Sequence, residues 1–200
     1  MSQTFSIRLE KWLKQPGQKT IASLIQAFGE KSFAIVILVL MFFPALPIPT
    51  GGITHVFEAV VMLLALEMMA GRRTIWLPKK WLQKPLGAML EKKVVPLMMR
   101  RIRWFERFSR PRYGWLINHP LALRLVGVLF FALALAAAIA PPFSGLDTFP
   151  SLAAVALALA LILDDALAFA IGCFLTIVGL FIIGLAGNAT FHWFQHLLHR

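Results

Sequence analysis

The sequence predicts an all-α membrane protein: two repeated units, each a long helix, a Pro/Gly break and a short helix, with basic interfacial helices around them. Three observations carry that expectation. Hydrophobic residues make up 59% of the chain and charged residues 14%, against about 45–50% and 25% in soluble domains, and mean hydropathy is +0.76. Lysine and arginine are absent from residues 32–71 and again from 125–199. Prolines and glycines gather at 44–52 and 141–145, inside otherwise apolar chain. Disorder is excluded by the hydrophobic content, and a disulfide scaffold by the single cysteine, Cys173.

The net charge of +11 would suggest a nucleic-acid partner in a soluble protein. Its distribution points elsewhere. Arg8, Lys11, Lys14, Lys19 and Lys31 form one group, and the residues from Arg72 to Arg112 hold the larger one. Loops of this kind face the cytoplasm and anionic headgroups. The partners expected are the bilayer and its headgroups, with no nucleic acid.

Residues 5–20 read as an interfacial amphipathic segment. Phe5, Ile7, Leu9, Trp12 and Leu13 supply the apolar side, while Arg8, Lys11 and Lys14 reach headgroups. No cleavable leader is expected there, since no compact apolar run ends in a small-residue site.

Residues 21–70 form the first unit. Ile21 to Phe43 is read as its long helix, stopped by Pro44, Pro47, Pro49, Gly51 and Gly52. Ile53 to Ala70 is the short one, about 27 Å long at 1.5 Å per residue.

Residues 71–116 are a basic linker with four of the six tryptophans, the signature of the headgroup interface. Arg100, Arg101, Arg103 and Arg107 are its expected headgroup contacts.

Residues 117–165 form the second unit. Leu121 to Ala140 is its long helix, Pro141 to Asp147 the break, and Phe149 to Leu163 the short helix. Pro150 suits a first turn, and Asp147 or Thr148 is the expected cap. Residues 166–186 are a last span and 187–200 an amphipathic tail. A shift of 93 residues superimposes Pro49 on Pro142, Gly52 on Gly145 and Gly71-Arg72 on Asp164-Asp165. The positive-inside rule places the N-terminus and 71–116 in the cytoplasm, giving five crossings and two units of the same orientation. Re-entrant short segments would change that count and allow an inverted pair.

Candidate sites lie where charge enters apolar chain. Glu58 shares a helical face with His55 and Thr54 just after the first break. A carboxylate at membrane depth is costly, so this cluster is read as a proton or cation site, or as a carboxylate satisfied by the loop backbone. The breaks themselves, at Pro47, Pro49, Gly51, Gly52, Pro142 and Gly145, expose backbone groups able to hold an ion or substrate. Asp164 and Asp165 are read as a cation site, a partner of the basic linker, or a plain helix stop. Glu67 is read as a snorkelling partner of Arg72 and Arg73. His192, His196 and His199 recur along the tail with no acidic or cysteine partner, and an interfacial role is expected. No catalytic motif, metal set or cofactor site is recognised, so no enzyme is expected.

Leu46-Pro47-Ile48-Pro49-Thr50-Gly51-Gly52 and Ala70-Gly71-Arg72-Arg73-Thr74-Ile75-Trp76-Leu77-Pro78 resemble the signature of the exopolysaccharide-synthesis ExoD family. Pro142-Phe143, Pro150-Ser151-Leu152-Ala153 and Leu163-Asp164-Asp165-Ala166 resemble it a second time, so that residues 15–185 are covered. Ala166 stands where the family pattern has glycine, and Thr50-Gly51-Gly52 where it has Pro-Gly. The resemblance implies a bacterial inner-membrane protein linked to exopolysaccharide production and carries over no catalytic residues. A small transporter for an ion, a proton-coupled solute or a lipid-linked species is expected, working as a homodimer. The alternative is a non-transporting scaffold for the polysaccharide assembly proteins.

Overall fold

The computed structural model describes residues 5–46, 53–76, 78–83, 85, 100, 102–103, 106, 119–140 and 145–198, with Ile53, Lys79, Trp81 and 186–198 as backbone only. Among the described residues every regular element is an α-helix, as the composition predicts.

Helix α1 (Phe5–Lys14) turns Phe5, Leu9 and Trp12 inward. Phe5 and Trp12 pack on Phe28, with ring centroids 5.4 and 6.1 Å away. The expected amphipathic helix is present, but its apolar face covers protein, and Ile7 is left exposed. Arg8, assigned to headgroups, lies over the Phe28 ring and donates to the Ala27 carbonyl.

Helix α2 (Ile21–Phe28) starts at a reciprocal cap, in which the Ser23 amide donates to Thr20 Oγ1 and the Thr20 amide to Ser23 Oγ, both at 3.1 Å. It ends at Gly29, whose φ of +55° is open mainly to glycine. Helix α3 (Lys31–Phe42) then starts afresh. The expected single helix from Ile21 to Phe43 is therefore two helices, because Gly29 turns the chain before the pure hydrocarbon stretch begins.

Helix α4 (Ile53–Met69) ends at Gly71, φ +79°. A short helix, α5 (Lys79–Leu82), follows. Helix α6 (Pro120–Ile139) has proline in its first turn and the His119 ring capping the Leu121 amide at 3.3 Å. Helix α7 (Thr148–Leu163) closes on Asp164, φ +54°. Asp147 stands at its N-cap but makes no side-chain cap. Its backbone is already helical, and its carbonyl accepts the Ser151 amide instead. Thr148 is the first helical residue, so neither expected cap operates. Helix α8 (Ala166–Leu198) runs through Gly187 and Asn188 without a break. The helix is continuous across the expected boundary between last span and tail, since neither residue removes a backbone donor as proline does, and its apolar spanning part is Ala166–Leu185.

The core is a bundle in which α3 packs on α7, α4 on α6 and α8 on α7, with α3–α4 and α6–α7 as lesser neighbours. Gly127 of α6 sets the closeness of the second pair: a Cβ there would stand 2.9 Å from the Met69 backbone nitrogen and 3.0 Å from the Ala65 carbonyl oxygen. Two helices are long and apolar enough to cross a membrane, Pro120–Ile139 and the first part of α8, Ala166–Leu185. The outer face of α8 presents Leu167, Ile171, Phe174, Ile177, Phe181 and Leu185 to the surroundings.

Candidate functional site

One face of α4 carries Thr54, Glu58, Val61, Ala65 and Met68, and all of them are buried. The spacing is the inward stripe of a packed helix, and Glu58 occupies a place where a hydrocarbon side chain is the rule. Glu58 is 0% exposed. His55, one turn earlier, places Nδ1 2.7 Å from Glu58 Oε2. A neutral imidazole makes that bond by donating from Nδ1 to the carboxylate. The other carboxylate oxygen, Oε1, is buried and has no hydrogen-bond partner among the described residues. The His55 side chain is 37% exposed, so the ring connects a buried carboxylate with the outside. Asp147, just before α7, lies within electrostatic range of Glu58, so the starts of α4 and α7 share one end of the bundle. A carboxylate with one open oxygen and one histidine contact is able to hold a proton or a cation.

Asp164 and Asp165 lie at the other end. Asp164 Oδ2 receives Lys31 Nζ at 2.5 Å, and Lys31 also donates to the Ile162 carbonyl at 2.9 Å. Asp165 Oδ1 accepts the amides of Leu167 and Ala168 at 2.8 and 3.4 Å, capping α8. The pair ends one helix, starts the next and anchors α3. It does not join the Glu58 cluster.

Of the break residues, Gly145 is exposed with φ +69°, whereas Pro47, Pro49, Gly51, Gly52 and Pro142 lie outside the described residues. Among the basic residues, Arg100 and Arg103 are exposed, and Arg101 and Arg107 lie outside the described set. Arg103 pairs with Glu10 at 2.6 Å, and Glu106 accepts the Ser6 amide at 2.9 Å, so this stretch holds α1. A hydrogen bond from Lys14, and then the charges of Lys14 and Arg103, keep the Glu10 carboxyl below the ordinary carboxylate range.

The Glu67 carboxylate does not pair with the Arg72 or Arg73 guanidinium, although its backbone carbonyl accepts the Arg72 amide at 3.0 Å. Its Oε2 accepts the Trp76 amide at 2.8 Å, Arg73 pairs with Glu30 at 3.2 Å, and Arg72 lies over the Trp76 ring. The tight turn after α4 folds Trp76 back over the helix end and satisfies the carboxylate locally. Residues His192 and His196 are described as backbone only, and His199 lies outside the described residues. Among the described residues no group of three or more His, Cys, Asp and Glu side chains is placed to hold a metal ion. Cys173 is partly buried on α8.

Two features escaped the sequence reading. Ser151 on α7 is fully buried, and its hydroxyl has no partner among the described residues. One hydroxyl near the start of an aliphatic helix carries too little signal to stand out. The second feature is a cavity of about 900 Å³ between α1, α3 and α4, lined by Leu9, Trp12, Leu38, Leu64 and Trp76 among others and almost wholly apolar. It lies away from Glu58, and only the placement of α1 and α2 beside α3 and α4 creates it.

Comparison with known proteins bears on the whole of this architecture. The family model described as exopolysaccharide synthesis, ExoD, matches residues 5–185. An uncharacterised protein of Synechocystis is 29% identical over 147 residues, 74% of this chain and 68% of that one. Protein ExoD of Rhizobium meliloti is 28% identical over 191 residues, 90% of this chain and 75% of its own. No solved structure matches. The family match covers α1 to α7 and α8 as far as residue 185, and the chain belongs to the ExoD family of exopolysaccharide synthesis.

Proposed function

We propose that this protein is a multi-pass bacterial inner-membrane transporter serving exopolysaccharide production, with Glu58 and His55 forming its proton or cation site. The observation that carries the reading is Glu58 itself: a fully buried carboxylate in an apolar helix, with one oxygen unpartnered among the described residues and the other tied to a half-exposed histidine. Such groups inside a membrane protein mark ion or proton pathways. Membrane insertion is supported by the exposed apolar stripe along the outside of α8 and by two helices long and apolar enough to cross a membrane. The species moved is an ion, a proton-coupled solute or a lipid-linked precursor. The protein acts without a cofactor and without covalent chemistry, and pairs with a second copy to enclose its path.

The test is complementation of a strain lacking its own ExoD-family protein. Glu58→Gln is expected to abolish exopolysaccharide recovery while its membrane level stays normal. Full recovery by that variant removes Glu58 as an essential group. The second reading is an accessory scaffold that recruits assembly proteins through the basic stretch. Exposed Arg100 and Arg103 favour it. On that reading charge reversal at Arg100, Arg101 and Arg103 is the damaging change, and Glu58→Gln is harmless.

A further inference from the structure

The helices α3 and α4 pack reciprocally with α6 and α7. The first helix of each unit packs on the second helix of the other, α3 on α7 and α6 on α4. The shift of 93 residues relates the details as well. Lys31, at the start of α3, grips the left-handed cap Asp164 at the end of α7. Its equivalent Arg124, near the start of α6, lies against the left-handed cap Gly71 at the end of α4, with Nη2 3.0 Å from where a Cβ would be. Both caps have positive φ, and both cations sit where a helix C-terminus attracts them. Buried positions follow the same shift: Ile37 and Phe130 are equivalent, as are Ala65 and Ala158, and all four are 0% exposed.

The shift carries Glu58 onto Ser151. Both are 0% exposed, and Glu58 Oε1 and Ser151 Oγ both lack a partner among the described residues. One turn earlier it carries buried Thr54 onto Asp147. Each unit therefore begins its second helix with a carboxylate and a hydroxyl four residues apart on one face, in opposite order: Thr54 then Glu58, and Asp147 then Ser151. Asp147 is already within electrostatic range of Glu58.

We propose that Glu58 and Ser151 occupy the same position in two copies of one unit, related by a two-fold axis along the bundle, and that Thr54, Glu58, Asp147 and Ser151 line a single chamber on that axis for a hydrated monovalent cation. The inference rests on the functional reading of Glu58 and extends it to the second unit. One open carboxylate oxygen and one open hydroxyl leave most of the ion's shell to water, which suits a cation that must leave again. Beside Asp147, one carboxylate is needed at the Glu58–Ser151 position, and either unit is able to supply it there.

An exchange of side chains tests this. The full chain carrying Glu58→Ser with Ser151→Glu is compared with Glu58→Ser, Glu58→Gln and the parent. Exopolysaccharide recovery is one readout. The other is thermal unfolding of the purified protein in NaCl or KCl against choline chloride. Glu58→Ser and Glu58→Gln are expected to lose recovery roughly tenfold or more and to lose the salt response, while the exchange returns both to within about threefold of the parent, the pattern of coupled positions. An exchanged protein at normal membrane level that performs no better than Glu58→Ser overturns the equivalence. Indifference of the parent to both salts overturns the cation. If glutamate at 151 prevents accumulation, Ser151→Asp with Glu58→Ser takes its place, and failure of both to accumulate also overturns the equivalence. Full activity of Glu58→Gln ends the functional reading of Glu58, whereas a dead exchange beside a dead Glu58→Gln ends only the two-fold relation.

Discussion

Lys31 joins two parts of the bundle that are far apart in sequence. Its ammonium reaches Asp164 and the Ile162 carbonyl from the start of α3, and both charged side chains are 27% exposed. Shielded charge-assisted bonds of this kind are worth about 1.5–3 kcal/mol. Lys31→Met is expected to lower stability by about that amount, measured by denaturant unfolding of the purified protein, and Lys31→Asp with Asp164→Lys to recover part of it. Glu10 responds to pH. Because its folded pKa is depressed, its contact with Lys14 and Arg103 contributes fully above the ordinary carboxylate range and is lost as pH falls through the lowered value. Trp12 fluorescence should therefore stay constant from neutral pH down to the ordinary carboxylate pKa of about 4.3 and change only below it. Glu10→Gln should show the low-pH signal at neutral pH. At this scale Glu58 was legible because charge inside hydrocarbon is rare and costly. The partners of Glu67 and Asp164 were not, since each is chosen by a turn or a distant helix that periodicity does not encode.

Helix contacts are governed by small residues as much as by large ones. Gly127→Val is expected to push α6 from α4 and to lower stability by about 1–3 kcal/mol through overpacking, whereas Gly184→Ala, where a Cβ meets nothing within 4 Å, should be neutral or mildly stabilising. Thermal scans of the two variants make the comparison. The continuity of α8 has its own measurement. Spin labels at Ala170 and Gln195, in a Cys173→Ser background, should lie about 37 Å apart along one helix axis by a rise of 1.5 Å per residue. A clearly shorter distance would place a bend at Gly187. Helices α4, α6 and α7 were legible within a residue or two because Pro, Gly and Asp mark their ends. The break at Gly29 was not, because a lone glycine in a helix costs only about 1 kcal/mol and its sequence neighbours suit either outcome. Gly187-Asn188 leaves its helix continuous for the same reason.

Across the molecule, the all-α class followed from composition and charge, since an apolar chain without alternating patterns has few other choices. The pairing of α3 with α7 and α4 with α6 did not follow, because aliphatic faces are interchangeable until packing selects among them. The five-crossing arrangement predicts that reporter fusions after residues 75 and 200 fall on opposite sides of the membrane, with 145 on the same side as 200. A fusion at 200 that reports from the cytoplasm removes the arrangement. Helix α8 adds a mechanical consequence. Gly179 lies against Phe149 and Pro150, where a Cβ would stand 3.4 Å from the nearest backbone atoms, and the helix continues without interruption to Leu198, about 28 Å further along at 1.5 Å per residue. That length is a lever arm with its fulcrum beside the second break. A tilt of about 10° at Gly179 swings the helix at Leu198 by roughly 5 Å, so a small rearrangement near Asp147 and Ser151 becomes a far larger displacement at the helix end.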